Sequence, residues 1–279
     1  MKIIIHGGFF SESSTDDTMK VRKQEAVKAI VTQAYEHLKN HSAVETVVYA
    51  VSLLEDNTLF NAGMGSQIQS DGKIRMSASI MNGANTDFSG VINLEEVKNP
   101  IFVAEKLMAY DDKVLGGEGA IKFAREQGFE PYSTETFERR AEYDKRLASK
   151  GKGTVGCVAL DKDGNIAAAT STGGKGFEMV GRISDSATVA GNYANKYCGV
   201  SCTGVGEDIV SNATAAKIVT RVTDGMTIKE AFEKTFKELK RDGLCGAIAI
   251  DHKGNIYHQD SEPSMVFAGY DGEEYEVFN

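Results

Sequence analysis

The sequence opens without a long apolar run. Met1-Lys2-Ile3-Ile4-Ile5-His6-Gly7-Gly8 is far too short for a signal peptide or a membrane span, so a cytoplasmic location is the expectation and no membrane partner is implied. Basic residues are in deficit: 31 Lys and Arg stand against 40 Asp and Glu, a formal net charge of −9. That balance argues against a nucleic-acid footprint, which needs Lys and Arg clustered on one face. Cysteines are few, at Cys157, Cys198, Cys202 and Cys245, and no pair has the short double spacing of a zinc site. They read as buried or free thiols in a reducing compartment rather than a disulfide framework. Two common catalytic signatures are missing as well, the Gly-x-Ser-x-Gly elbow of serine hydrolases and the phosphate-cradling P-loop.

What is present suits one compact domain of mixed α and β structure. The 279 residues are 41% hydrophobic, enough to bury a sizeable core. The β-branched run Lys2–His6 reads as a buried strand that ends in a tight turn at the Gly pair. Apolar residues three or four apart predict an amphipathic helix over 17–38, and a second helix follows over about 44–55. Strands are expected over 74–81 and 90–92, with helices near 100–109 and 118–127. A charged stretch, 133–152, reads as an exposed helix fraying into a flexible connection. Beyond it lies a strand, polar turn and strand over 154–171, and a second such unit recurs over 246–257. Helices over 207–222 and 227–240 lie between them, which suggests sheet packed against helix.

The chemistry centres on Gly153-Thr154, at the join between the polar connection and a buried strand. Cutting that bond would free a Thr α-amine, whose reference pKa of roughly 7.7–8.0 lets it take the proton of its own hydroxyl. Gly153 would tolerate the backbone strain of the attack by Thr154 on the preceding carbonyl. The plainer reading is a linker glycine before a β-branched strand residue, and on local chemistry alone it is the commoner one.

Longer motifs decide between them. Gly153-Thr154-Val155-Gly156-Cys157-Val158-Ala159-Leu160-Asp161, with Ala168-Ala169-Thr170-Ser171-Thr172-Gly173-Gly174, resembles the small-subunit start of the plant-type asparaginase and isoaspartyl peptidase family, N-terminal-nucleophile hydrolases with a Thr nucleophile. Gly181-Arg182-Ile183-Ser184-Asp185-Ser186, Gly191-Asn192-Tyr193-Ala194-Asn195 and Ser201-Cys202-Thr203-Gly204-Val205-Gly206-Glu207 follow in the family's order. The first half is similar too, at Ile5-His6-Gly7-Gly8, at Leu59-Phe60-Asn61-Ala62-Gly63-Met64-Gly65-Ser66 and at Ala78-Ser79-Ile80-Met81.

The resemblance implies an α+β fold, a four-layer αββα sandwich, as a single domain over 1–279. Autocleavage between Gly153 and Thr154 would yield a large fragment, 1–153, and a small one, 154–279. Thr154 would be the nucleophile, Thr172 a second hydroxyl orienting it, and Thr203 and Gly204 the oxyanion hole. Asn61 would assist autocleavage or oxyanion binding. Arg182 would grip a substrate α-carboxylate with two parallel hydrogen bonds, Asp185 would hold the α-ammonium, and Gly204 and Gly206 would line the substrate. No cofactor is implied, though the Leu59–Ser66 loop would hold a structural sodium ion. The substrates would be L-asparagine and β-aspartyl dipeptides, handled by a homodimer of processed units. A non-cleaving, catalytically silent relative that binds amino acids or serves as a structural partner is the rival reading.

His6 reads as a positioning residue at the site edge or a satisfied buried histidine, and Cys202 as a small buried hydrophobe. Departures from the family are Phe9-Phe10 after the glycines, the segment Lys175-Gly176-Phe177-Glu178-Met179-Val180, and Ser77 and Asn82 where acidic residues are common. They point to changes in pocket shape, substrate preference and autocleavage rate.

Overall fold

The computed structural model describes residues 1–10, 17–145, 153–239, 244–262 and 264–278. Its strands are β1 (Lys2–Phe9), β2 (Met76–Asn82), β3 (Asp87–Leu94), β4 (Val114–Gly116), β5 (Val155–Leu160), β6 (Ile166–Thr172), β7 (Asn192–Ala194), β8 (Cys198–Gly204), β9 (Cys245–Asp251), β10 (Ile256–Asp260), β11 (Met265–Tyr270) and β12 (Tyr275–Val277). Its helices are α1 (Asp17–Leu38), α2 (Ala43–Glu55), α3 (Pro100–Leu107), α4 (Gly117–Glu126), α5 (Phe137–Asp144), α6 (Gly206–Asn212), α7 (Thr214–Thr223) and α8 (Ile228–Lys237). The fold is α+β.

One sheet has eight strands in the order β12-β11-β1-β5-β6-β2-β3-β4, the other four in the order β10-β9-β8-β7. In the larger sheet β1, from before residue 153, lies between β11 and β5, from after it, and β6 pairs with β2, so both halves of the chain build the sheet. Strands β8 and β9 pack on β1, β5 and β6, while α1 and α2 pack on the larger sheet and α7 on β8. The strands between these layers are therefore buried on both faces. This is why β6 reads Ile-Ala-Ala-Ala-Thr-Ser-Thr, with every residue buried, instead of alternating apolar and polar side chains.

The β5–β6 hairpin owes its register to Asp161. Its Oδ1 accepts from the backbone N–H of Asp163 and Asn165, closing the turn, and Oδ2 accepts from Ala43 at the start of α2. Helix α2 begins with a capping box, in which Ser42 Oγ accepts from Glu45 N–H and the Glu45 carboxylate returns to Ser42 N–H.

Differences from the expected elements have local causes. Strand β1 does not stop at the Gly pair but bulges between His6 and Phe9, with Gly8 at φ +85°, and continues to pair Phe9 with Met265. Phe9 is buried against Gly246 and Met265, so that ring fills core. The helix expected over 207–222 breaks at Ala213, which is left-handed at φ 50°. The first N–H groups of α7 are taken there by loop carbonyls, Ala215 by Ala190 and Ala216 by Val189. The break turns Ala215, Ile218 and Val219 into the core. The fraying connection, 146–152, lies outside the described residues.

Candidate active site

The β5–β6 register pairs Val155 with Ser171, which sets Thr154 and Thr172 opposite each other at the hairpin's open end. Both are buried, and Thr154 Oγ1 donates to Thr172 Oγ1 over 3.1 Å. Thr172 Oγ1 in turn donates to the carbonyl oxygen of Gly153 at 3.3 Å and accepts from Gly174 N–H at 3.2 Å.

Asn61 arrives from the loop after α2. Its Nδ2 donates to Gly153 O at 2.7 Å and to Gly174 O at 2.6 Å, while its Oδ1 accepts from Gln67 N–H. The Gly153 carbonyl thus receives two hydrogen bonds, from Asn61 and Thr172. Both draw electron density from its carbon, beside the Thr154 hydroxyl. A Cβ at residue 153 would lie 2.6 Å from Asn61 Cβ, so the close approach of the two backbones needs glycine there.

Arg182, Asp185, Gly206 and Glu207 form a second cluster. Arg182 pairs side by side with Glu207, Nε on Oε1 and Nη2 on Oε2, each at 3.0 Å. Partial burial opposes ionisation of Glu207, but its hydrogen bonds to Arg182, its own backbone N–H and Lys175 bring the carboxyl down to about 2. Nη1 and one Nη2 hydrogen of Arg182 are left over from that pairing, a two-pronged fork of the kind a carboxylate accepts. Asp185 is buried, with no partner for Oδ2 among the described residues. Burial pushes its pKa up to about 7, against the pull of Arg182. A Cβ on Gly206 would come within 2.8 Å of both Arg182 Nη2 and Asp185 Oδ1, so only glycine leaves the gap between the two charges open.

The segment after Thr172 links the clusters, with Lys175 Nζ 3.2 Å from Glu207 Oε1. This is the segment expected to differ from the family, and its side chains have distinct surroundings. Glu178 is buried and its Oε1 accepts from Lys175 N–H. Phe177 stacks on Tyr143 of α5, ring centroids 4.9 Å apart and nearly parallel. Met179 and Val180 are exposed.

Thr203 and Gly204 end β8 in the smaller sheet, Gly204 at φ +135°, and Thr203 Oγ1 is buried without a partner among the described residues. Neither hydrogen-bonds to Thr154 among the described residues. His6 does, through Nδ1 to Thr154 O at 3.0 Å, and its Nε2 lies 2.9 Å from Ser201 Oγ. Sequence reasoning missed Ser201, Lys175 and the pairing of Glu207. Ser201 stands two residues before Thr203, and that shared strand face was the one available signal.

The Leu59–Ser66 loop winds through a 3-10 turn, Gly63–Gly65. The carbonyl oxygens of Phe60 and Thr58 converge where a Cβ on Gly65 would lie, at 1.9 and 3.0 Å from it. Backbone oxygens are hard ligands that suit an alkali cation, although Arg139 Nε already donates to Gly65 O at 2.9 Å. No cluster of three or more His, Cys, Asp or Glu side chains suited to a metal occurs among the described residues.

The sequence profile of the family described as Asparaginase matches this chain over residues 1–152 and 138–278. An isoaspartyl peptidase/L-asparaginase of Synechocystis is 44% identical over 97% of this chain and 88% of its own length. A plant-type L-asparaginase of Thermococcus kodakarensis is 38% identical over 95% of each chain, and an isoaspartyl peptidase of Escherichia coli 37% identical over 97% of this chain and 93% of its own.

Proposed function

The chain belongs to the asparaginase family, and from that premise we infer that it is an amidohydrolase that cuts itself before Thr154 and then hydrolyses L-asparagine and β-aspartyl dipeptides. The observation that carries the reading is the doubly hydrogen-bonded carbonyl of Gly153 beside the Thr154 hydroxyl.

In the precursor, Thr154 Oγ1 attacks the Gly153 carbonyl carbon while Asn61 and Thr172 hold the developing oxyanion. The C–N bond breaks in favour of an ester, the nitrogen takes up the proton, and water hydrolyses the ester. The Gly153 carboxylate and a free Thr154 α-amine result. In the processed enzyme, Arg182 takes the substrate α-carboxylate and Asp185 the α-ammonium, with Gly206 leaving room between them. Thr154 Oγ1, its proton drawn off by its own amine, attacks the side-chain amide. The Thr203 hydroxyl, which has no other partner among the described residues, and the Gly204 backbone N–H hold the oxyanion, and the leaving amine departs with the amine-held proton. Water then releases aspartate from the acyl-enzyme.

The finer architecture we propose is a four-layer αββα sandwich, supported by helices packed on the outer side of each sheet and by the contact between the sheets. It is a single domain whose 1–153 and 154–279 fragments stay interleaved, because both supply strands to the larger sheet. Two processed units pair as a homodimer, and a sodium ion sits at the carbonyls of the Leu59–Ser66 loop. Four buried free cysteines fit a reducing, cytoplasmic setting. No described helix is long and apolar enough to cross a membrane. No observation favours the silent binding reading.

Intact mass of the purified chain followed over days is expected to show two fragments meeting at the Gly153–Thr154 bond. Ammonia release from asparagine and aspartate release from β-aspartyl dipeptides should rise as the fragments accumulate. A chain that stays whole and inert removes the reading.

The pH profile is a second check. Asp185 must be ionised to accept the substrate ammonium, and its folded pKa near 7 means that protonation below that value removes the acceptor. KM is expected to rise up to about tenfold per pH unit below neutrality, whereas neutralisation of the Thr154 amine shapes kcat on the same acid side. A KM flat from about pH 5 to about pH 8 would contradict the role given to Asp185.

A further inference from the structure

His6 is fully buried and belongs to no step above. Its surroundings allow one hydrogen-bond direction. A backbone carbonyl only accepts, so the contact at Thr154 O requires the proton on Nδ1. Burial drives the ring's pKa down to about 3, despite the bond to Thr154, so the imidazole is neutral and Nε2 carries a lone pair. Ser201 Oγ must therefore donate to Nε2 at 2.9 Å, and Thr170 Oγ1 donate to Ser201 at 2.7 Å. The chain runs Thr170 to Ser201 to His6 to the Thr154 carbonyl.

Gly156 carries an independent mark of this relay. A Cβ there would lie 2.0 Å from Ser201 Oγ and 2.5 Å from His6 Nε2, so the strand that bears the nucleophile gives up a side chain to make room. The relay also crosses the two sheets. His6 is on β1 and Thr170 on β6, and Thr154 immediately precedes β5, three strands of the larger sheet, while Ser201 is on β8 in the smaller one. Ser201 and Thr203 share one face of β8, being two residues apart.

We propose that His6, held by Ser201 and Thr170, is a positioning residue that fixes the Thr154 carbonyl and sets the nucleophile's strand against the strand bearing Thr203 and Gly204. This rests on the reading of Thr154 as nucleophile. Once the Gly153 bond is cut, Thr154 loses its tether on the amine side. Its backbone is then held by the Val155 peptide and by the His6 bond to its own carbonyl. With that peptide plane fixed and Oγ1 on Thr172, rotation about the Cα–C bond is restrained, which keeps the free amine beside its own hydroxyl. The dry surroundings strengthen each member of the relay.

The test compares wild type with His6→Ala, His6→Asn, Ser201→Ala and Thr170→Val, reading self-cleavage rate, kcat, KM and thermal midpoint. The Asn amide places an N–H near the position of Nδ1 and can still donate to Thr154 O. His6→Ala should lower the self-cleavage rate and kcat about 10- to 100-fold, the scale of a misplaced reacting group, with KM within about threefold. His6→Asn should recover most of that loss, and Ser201→Ala and Thr170→Val should show smaller falls in kcat at unchanged KM. Wild-type kcat in a folded His6→Ala, or a loss that follows the thermal midpoint and is not recovered by His6→Asn, overturns the proposal. If His6→Ala does not fold, unchanged kcat in Ser201→Ala and Thr170→Val overturns it, and a fall in kcat alone supports it. A wild-type chain that neither splits nor hydrolyses overturns the underlying reading and this one with it, a result separable from active wild type with indifferent variants.

Discussion

Thr154→Ala is expected to remain a single chain of 279 residues and to lose amide hydrolysis by about 10⁴-fold or more, the scale seen when a nucleophile is removed from an otherwise intact site. Two losses coincide in this variant. The hydroxyl that attacks Gly153 is gone, so no α-amine is released, and the base needed for substrate hydrolysis is never made. The fold should survive, because the Thr154 side chain contributes one hydrogen bond, to Thr172, and a methyl group in its place leaves no buried charge. Thr154→Ser separates the two roles. It keeps the oxygen that attacks and should still split, more slowly, since the missing methyl frees a rotation about χ1 that the β-branched residue restricts. Intact mass and asparagine turnover on the same samples check both. A Thr154→Ala chain that splits at the same bond as wild type would move the nucleophile elsewhere and leave the Asn61 and Thr172 hydrogen bonds on Gly153 without a purpose.

The candidate site residues could be named from the sequence only through the longer motifs that carry the family resemblance, and their relations could not be read because the contacts are long-range. Thr154, Thr172, Arg182 and Asp185 stand inside motifs of six to nine residues that occur in the family's order. That Arg182 is already paired with Glu207 cannot be read there, since the two lie 25 residues apart and meet only when α6 starts beside the Arg182 turn. His6 and Ser201 are 195 residues apart. Elements followed the same division. Helix α1 over Asp17–Leu38 was legible from its own periodicity, as was the β5–β6 hairpin from its polar turn. Strand β8, Cys-Gly-Val-Ser-Cys-Thr-Gly, has small residues because it lies between layers, and no alternation marks it out. The break at Ala213 depends on carbonyls of Val189 and Ala190 that capture the next helix's N–H groups, a tertiary cause that local propensity does not register.

Removing the Arg182 guanidinium should cost less than removing the nucleophile but act on a different parameter. Arg182→Met is expected to lower kcat/KM about 10³-fold, roughly 4 kcal/mol, within the range for truncating one partner of a desolvated charge pair. Most of this should appear in KM. The effect exceeds one lost contact because Arg182 also supports Asp185, whose pKa its charge holds down against burial. Without that charge Asp185 titrates still higher and is protonated at neutral pH, so the α-ammonium loses its acceptor when the α-carboxylate loses its donor. Arg182→Lys should not restore activity, since a single ammonium cannot pair with Glu207 and still present a two-pronged fork to the substrate. Glu207 keeps Lys175 in either variant, which limits the penalty to folding. Self-cleavage supplies the internal control. Gly153 offers no free amino-acid head, so both Arg182 variants should split at the wild-type rate while their KM rises, a pattern that damage to the fold would not produce. Wild-type KM in Arg182→Met would place substrate recognition outside the Arg182, Asp185 and Gly206 cluster.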